Sequence, residues 1–286
     1  MKTKKTKTPS ATTTSTSTTN PIENIDTDDY FVYLKTIKAS AIRTLSEVLK
    51  EVLTDVNMHF DENGLKVMTM DIKKVAFIHL KLDADKFDYY NCPEPKIVSV
   101  NMMSFHKLLK TIHNSDIITI FVSKEDDAKM GIKVENSEKK IMSISKLKLL
   151  DLDVDNLSIP NIKFENVYRM QCVDFQKHCR DLSSISTLVK IYTSENGDTF
   201  TLEADGDFAT QEITIGEIKE LNQKNILIGT YDVKYLNLFC KSSGLCPSVE
   251  IYLKYNIPII LVYSVADLGS IKFGLAPDVS QKLLGL

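Results

Sequence analysis

Pairs of basic residues recur on four segments of the sequence in which the apolar residues have helical spacing. The members of each pair lie three or seven positions apart. At about 100° per residue, both side chains of such a pair project from the same face of a helix. Cationic faces of this kind bind phosphate groups without reading base sequence, so the pattern indicates contact with a nucleic-acid backbone. The pairs are Arg43 and Lys50, Lys107 and Lys110, Lys177 and Arg180, and Lys234 and Lys241.

A basic face on a single helix is more typical of ordinary solvent exposure than of nucleic-acid binding. The repetition on four helices favours a shared role. Because the net charge of the chain is −3, the excess of acidic residues must lie elsewhere on the protein. Acidic residues also occur on these segments and dilute the positive charge, namely Glu47, Glu51, Asp174, Asp181 and Asp232.

The order of elements around these helices repeats once along the chain. In each copy a helix leads into a strand, an Asn-Gly turn and a second strand, and Asn-Gly suits a tight hairpin because both residues tolerate positive φ. A further strand, helix and strand follow in each copy. The predicted elements are helix 39–52, strands ending at 60 and covering 65–70, strand 97–100, helix 103–113 and strand 117–122, then helix 174–183, strands 188–193 and 198–204, strand 226–229, helix 232–242 and strands 248–253 and 259–265.

This repeat predicts an α+β fold with two domains, each containing two helices and antiparallel strands. We expect an N-terminal domain over 30–147 and a C-terminal domain over 166–280, joined by an acidic, extended linker over 148–165. Residues 1–29 are rich in Thr, Ser and Lys and have too few apolar residues to offset the entropy of ordering the backbone, which predicts a disordered tail. Residues 281–286 are interpreted as a short C-terminal tail.

Cysteine usage and hydropathy exclude several classes of protein. The five cysteines are scattered, so neither a disulfide framework nor a zinc site is predicted, and a reducing compartment is expected. No apolar run approaches the roughly 20 residues that span a bilayer, and the N-terminal segment lacks the apolar core of a secretory signal. We therefore expect a protein that does not contact a membrane.

Signatures of catalysis and metal binding are also missing. The acidic run Asp151, Asp153 and Asp155 resembles the start of a calcium loop, but Asn156 replaces its turn glycine and Ile162 its bidentate glutamate. No phosphate-binding loop, nucleophile elbow or His-Glu-x-x-His pair occurs. The sequence therefore predicts no enzymatic activity, no cofactor and no metal.

Several short segments give most of the chain a resemblance to a known family. They are GLKVMTMD at 64–71, LLDLDV at 149–154 running on to IP at 159–160, CRDLS at 179–183, KYLN at 234–237 and LAP at 275–277. In this order, from about residue 31 to 279, the chain resembles the proliferating cell nuclear antigen family of DNA polymerase sliding clamps. The resemblance implies a homotrimeric ring in which helices line a central hole and antiparallel sheets form the outer wall.

The resemblance also implies the partners of such a ring. The eight basic residues fall at positions that line the hole, through which double-stranded DNA would pass without sequence preference, although Thr44 stands where relatives usually have a basic residue. The other implied partners are further copies of the chain, a DNA polymerase, an ATP-dependent clamp loader, and replication and repair proteins with a glutamine-and-aromatic clamp-binding peptide. The implied location is the nucleus, or a viral replication site.

In this family a pocket beside the linker receives the partner peptide, whose last aromatic residue forms a hydrophobic plug. Without the resemblance, most of the corresponding residues are interpreted as ordinary core. Gly274 stands where relatives often have an aromatic residue, and Lys74 where they often have histidine, so the pocket departs from the family pattern. The implied pocket residues are Met70, Val75, Phe77, Leu157, Ile159, Pro160, Phe164, Pro258, Leu275, Ala276 and Pro277.

The implied subunit contact joins an edge strand near 141–147 of one chain to a strand near 212–217 of the next. Alternation of isoleucines in the second strand fits one buried face, as it would in any internal strand. Three other roles remain open: a member of a heterotrimeric checkpoint clamp, a monomeric processivity factor that binds DNA by charge alone, and a peptide-docking scaffold that never meets DNA. The residues assigned to the contact are Ser143, Ser145, Leu147, Ile213 and Ile215.

Overall fold

The computed structural model of the chain describes residues 27–153, 157, 162–164, 166–217 and 225–278. The predictions for tail residues 1–26 and 279–286, and for linker residues 154–156, 158–161 and 165, lie outside the described residues. Among them are Ile159 and Pro160 of the implied pocket, and Asp155 and Asn156 of the acidic run.

The described part of the chain contains four α-helices and seventeen β-strands, and the predicted α+β fold class is confirmed. The first half comprises β1 Tyr30–Thr36, α1 Ala39–Val52, β2 Asp55–Asp61, β3 Gly64–Met70, β4 Ala76–Asp83, β5 Tyr89–Asn91, β6 Lys96–Asn101, α2 Met102–Leu109, β7 Ile117–Ser123, β8 Lys129–Asn136 and β9 Ile141–Lys148. The second half comprises β10 Asn166–Gln171, α3 Cys172–Ser183, β11 Leu188–Ser194, β12 Thr199–Asp205, β13 Thr210–Gly216, β14 Asn225–Asp232, α4 Val233–Phe239, β15 Ser248–Leu253, β16 Ile259–Val265 and β17 Gly269–Leu275.

Two of the predicted helices end earlier than their apolar spacing suggested. Helix α2 ends at Leu109 instead of 113, because the amide of Ile112 bonds the carbonyl of Leu109, three residues back, and so leaves the α-helical pattern. Helix α4 ends at Phe239 instead of 242, and the 3-10 helix Cys240–Gly244 continues it. Over a single turn, apolar spacing does not distinguish these two kinds of helix.

The strands pair antiparallel in three sheets. The central sheet has eight strands in the order β10-β15-β16-β17-β4-β3-β2-β6, flanked by the five-stranded sheet β5-β1-β7-β8-β9 and the four-stranded sheet β13-β12-β11-β14. Each half of the chain contributes four strands to the central sheet. They meet where β17 pairs with β4, from Gly269 opposite Leu82 to Leu275 opposite Ala76. Backbone hydrogen bonds therefore run continuously from one half into the other.

The four helices form one layer against the sheets. Helix α1 contacts α2, α3 contacts α4, and α1 also contacts α4 and the 3-10 helix that follows it. The helices bury their apolar sides: α1 buries Leu45 and Leu49, and the ring of Phe239 on α4 stacks on Phe273 of β17 with 4.6 Å between centroids. The polar sides of all four helices are consequently turned away from the sheets.

A single carboxylate organises the turn between β3 and β4 and ties it to the second half of the chain. Asp71 accepts hydrogen bonds from the amides of Val75 at 2.9 Å and Ala76 at 2.8 Å, and from the hydroxyl of Tyr235 on α4 at 2.6 Å. Within the turn, Lys74 adopts a left-handed backbone with φ of 57°. Burial opposes ionisation of Asp71, but the hydrogen bonds from Tyr235 and the backbone outweigh it and hold its pKa below the ordinary value.

We expect Asp71→Ala to lower the free energy of unfolding by about 2 kcal/mol or more, because it leaves buried amides without an acceptor. The folded-state pKa is lowered, so this stabilisation is present above the ordinary carboxyl pKa and is lost as pH falls through the folded value. Urea denaturation at pH 7 and pH 3 measures both effects. Tyr235→Phe removes only one of these hydrogen bonds, so it should lower the free energy of unfolding by less than Asp71→Ala. The control is Asp151→Asn, since Asp151 is exposed. An equal loss for Asp71→Ala at both pH values would contradict the assignment.

Candidate nucleic-acid interface and partner surface

The eight basic residues predicted to contact phosphate all lie on the helix layer. Arg43 and Lys50 on α1 are half-buried, and the other six are exposed. Five of the exposed residues have no ion pair with a carboxylate in the described part of the chain, so their charges face solvent without a bonded counter-ion. These five are Lys107, Lys110, Lys177, Arg180 and Lys234.

Arg43 makes a hydrogen bond within the protein that restrains its side chain. Its Nη1 donates to the carbonyl of Ile112 at 2.6 Å, which holds the segment after α2 against α1. A guanidinium carries five N–H donors, so this bond leaves donors for a phosphate, but it fixes the side chain beside the protein surface. Arg43 therefore contributes positive charge from a less exposed position than the lysines of α2.

Lys50 and Lys241 share one carboxylate. Nζ of Lys50 lies 2.9 Å from Oε1 of Glu51, and Nζ of Lys241 lies 2.6 Å from Oε2 of the same side chain. The hydrogen bond from Lys241, followed by that from Lys50, lowers the pKa of Glu51 to about 2. Glu51 therefore remains ionised down to strongly acidic pH; it binds Lys50 on its own helix and Lys241 across the boundary between the two halves.

The argument from helical spacing does not hold for Lys241. This residue lies in the 3-10 helix Cys240–Gly244, so the seven positions that separate it from Lys234 span a change of helix type. Its place on the helix layer follows instead from its ion pair with Glu51 on α1. Among the acidic residues predicted to dilute the charge, Asp232 has a local role, because its carboxylate accepts from the amide of Lys234 at 2.8 Å and caps α4.

A row of mostly apolar side chains crosses the outer face of the central sheet, opposite the helices. Strand register places its members directly opposite one another on successive strands, and directly opposed residues share a face of the sheet. We call this set the outer row. Its members, in strand order, are Met70, Phe77, Gly274, Ile260, Tyr252 and Val167.

The ring of Phe77 covers Gly274. The two residues are opposed across β4 and β17, and a Cβ added to Gly274 would overlap the ring of Phe77. The space that a side chain at 274 would occupy is therefore already filled from the neighbouring strand. Gly131 of β8 lies beneath the ring of Phe121 of β7 in the same way.

Of the other implied pocket residues, Ile159 and Pro160 lie outside the described residues, whereas Val75 and Phe164 have contacts near the outer row. Val75 is 37% exposed, and its carbonyl accepts from the amide of Ala276 at 2.9 Å. The ring of Phe164 packs edge-on against Tyr252, with 5.6 Å between centroids. Leu275 stays a prediction; its side chain points into the core and is 1% exposed. Three further residues are half-buried, namely Leu157, Pro258 and Pro277.

Three members of the outer row were missed from the sequence: Ile260, Tyr252 and Val167. The available signal was alternation, because Glu250 and Tyr252 in β15 project to the face opposite the buried Val249 and Ile251. Alternation identifies an outward residue but not its neighbours on other strands. Those neighbours depend on long-range register.

The two strands assigned to the subunit contact both lie at sheet edges that no other described strand covers. Strand β9 is the last strand of the five-stranded sheet, and β13 is the last strand of the four-stranded sheet. On β9, Ile141 and Met142 are each 59% exposed, and Ile144 is 53% exposed. Ser143 and Ser145 line an open groove of roughly 280 Å³ beside this edge, whereas the side chain of Leu147 turns into the core. On β13, Ile213 and Ile215 are half-buried.

The described residues offer neither a metal centre nor a membrane span. No group of three or more His, Cys, Asp or Glu side chains within the described ranges is placed to hold a metal ion. In the same ranges, no helix is both long enough and apolar enough to cross a bilayer. All five cysteines have free thiols.

Comparison with known proteins covers both halves of this structure. Residues 32–157 match the family described as "Proliferating cell nuclear antigen, N-terminal domain", and residues 158–278 match "Proliferating cell nuclear antigen, C-terminal domain". The chain belongs to the proliferating cell nuclear antigen family. It is 32% identical over 264 residues to the "Probable DNA polymerase sliding clamp 1" of Paramecium bursaria Chlorella virus 1, a match that covers 90% of this chain and 100% of the relative. The family predicted from the sequence is confirmed.

Proposed function

We propose that the chain is a DNA sliding clamp: three copies form a ring around duplex DNA, and the ring tethers a DNA polymerase and other replication and repair proteins. The observation that carries the proposal is the helix layer, on which five exposed cations, none paired with a carboxylate of the described residues, lie on one surface of a proliferating cell nuclear antigen fold. The chain contributes no catalysis in this role. It acts where DNA is replicated, in the nucleus or at a viral replication site.

The basic residues would guide the duplex while the ring holds it. Ammonium groups attract phosphates at any sequence, and the strength of that attraction falls as salt is raised. Because a closed ring retains DNA by encirclement, the phosphate contacts need not be strong, and weak contacts permit sliding. An ATP-dependent loader would supply the energy to open and close the ring.

The free edges of the flanking sheets support head-to-tail assembly of identical chains. Strand β9 exposes large apolar side chains at an edge that pairs with no other strand of the described residues, which is a feature of strands that pair with another chain. Exposed lysines, including Lys140, Lys146 and Lys148, lie along and beside β9, whereas Glu212 is exposed on β13. A contact between two different edges is heterologous, and a heterologous contact that closes on itself forms a ring.

The outer row is the proposed docking surface for the partner peptide. It runs from Met70 and Phe77 to Tyr252, against which the linker residue Phe164 packs, and it lies on the face opposite the helices. A polymerase bound to the outer row would not cover the helix layer, which would remain free to face the duplex. An aromatic side chain of the peptide would pack against the ring of Phe77.

Retention on DNA tests encirclement. Rings loaded by the clamp loader should remain on circular DNA and be lost from linear DNA of the same sequence, because a ring slides off free ends. Gel filtration of loaded complexes, with labelled protein and DNA, measures the amount of protein retained on each template. Equal retention on the two templates would refute encirclement and favour a monomeric factor bound by charge.

Stimulation of the polymerase separates a clamp from a docking scaffold that never meets DNA. Replacing Lys107, Lys110, Lys177 and Arg180 with alanine should strongly reduce stimulation of the polymerase if the helix layer faces DNA. Unchanged stimulation by this variant would favour the scaffold.

Light scattering tests the assembly. The purified chain at micromolar concentration should have three times the mass of one chain, and Ile144→Lys should shift it to the monomer by placing a charge in the contact. Ile226→Lys is the control, because Ile226 is an exposed residue on the edge strand β14, which has no assigned contact. A wild-type monomer would refute the homotrimer, and a requirement for two other chains would indicate a heterotrimeric clamp.

Peptide binding tests the outer row. Phe77→Ala should weaken binding of a synthetic glutamine-and-aromatic peptide about tenfold or more, the loss typical of a central aromatic contact. Gly274→Ala should also weaken it, because the added Cβ displaces the Phe77 ring. Phe121→Ala is the matched control, since its ring covers Gly131 on a different sheet. Isothermal titration calorimetry measures the affinities, and an equal loss in all three variants would assign the effect to general destabilisation.

A further inference from the structure

The cluster formed by Lys50, Glu51 and Lys241 lies within the proposed DNA-facing surface. Lys50 and Glu51 occupy the last turn and a half of α1, and Lys241 reaches them from a position 190 residues later in the chain. The side chain of Lys241 is 47% exposed, that of Glu51 is 31% exposed and that of Lys50 is 17% exposed. Both ion pairs are therefore within reach of a ligand that approaches from solvent.

The carboxylate of Glu51 and a DNA phosphate are alternative acceptors for the same ammonium groups. When a phosphate takes Lys241, one charge-assisted hydrogen bond replaces another, so the exchange gains little net free energy compared with a phosphate that meets an unpaired lysine. Lys177 is such an unpaired lysine in the described part of the chain. Two of the eight predicted phosphate contacts are thus weakened by one side chain.

We infer that Glu51 is a charge-masking residue: it competes with DNA phosphates for Lys50 and Lys241 and so sets how tightly the helix layer holds the duplex. This inference rests on the proposed function, because it requires that the helix layer face DNA. Glu51 acts on DNA through the two lysines and is a positioning residue. Its role is to keep the total phosphate attraction low enough for sliding.

A purely structural role for Glu51 gives a different expectation. The carboxylate also bridges α1 and the 3-10 helix after α4, so its removal would lower thermal stability in either case. If Glu51 only supports the fold, removing its carboxylate leaves the salt dependence of DNA binding unchanged. The dependence of DNA affinity on salt is therefore the readout that separates the two roles.

The test compares the full-length variants Glu51→Gln and Glu47→Gln. Glu47 is exposed on the same helix and has no ion pair in the described residues, so Glu47→Gln removes the same charge without releasing a lysine. With a short linear duplex as the probe, Glu51→Gln should steepen the plot of log affinity against log salt by about 0.9 per lysine that gains a phosphate. Diffusion of loaded rings along end-blocked DNA should slow several-fold in Glu51→Gln and change little in Glu47→Gln.

A second pair of variants keeps the inference testable if Glu51→Gln folds poorly. Lys241→Gln should weaken duplex binding by a smaller factor than Lys177→Gln, because Lys241 is masked in the wild type and Lys177 is not. Equal losses from these two variants, or equal salt slopes for Glu51→Gln and Glu47→Gln, would overturn the inference. A wild-type protein that is not retained on circular DNA would refute the proposed function instead.

Discussion

The pairing of β4 with β17 is the interaction on which the arrangement of the molecule depends. Seven residue pairs, from Gly269 opposite Leu82 to Leu275 opposite Ala76, join the two repeats through backbone hydrogen bonds. Without this pairing, each repeat would have its own edge strand and its own pair of helices. With it, four helices share one layer, and four strands from each half share one outer face.

Side-chain bonds cross the same boundary and hold the helices to it. Asp71 accepts from Tyr235, Glu51 binds Lys241, and Lys38 pairs with Asp267. The first of these also links opposite sides of the sheet, because the Asp71 turn borders the outer row while Tyr235 belongs to the helix layer. The surface proposed for DNA and the surface proposed for peptides thus share structural support.

Local features of the sequence predicted local structure well. The bounds of α1, β15 and β16 match the predicted segments, because apolar periodicity and turn residues act over a few positions. The end of α4 was missed because a 3-10 turn preserves the apolar pattern. The resemblance identifies a strand near the pocket but not that the Leu275 side chain is turned into the core, because the face that a residue occupies depends on pairing with a distant strand.

The site was predictable to a similar extent. Spacing and resemblance singled out eight cations, and all eight lie on the helix layer, although the spacing argument does not hold for Lys241. Their partners were not predictable, since Glu51 meets Lys241 only after the two repeats are joined. The contact between Phe77 and Gly274 likewise depends on register between strands about 200 positions apart.

The exposed edge of β9 affects the solubility of a single chain. Ile141, Met142 and Ile144 are large apolar residues on an edge strand whose outer side has no neighbouring strand among the described residues. Such an edge is a template for unintended sheet growth as well as for a correct contact. Under the proposed assembly, this edge of a newly synthesised chain either pairs with another copy or aggregates, and the solubility of the chain during biosynthesis depends on how quickly the edge is covered.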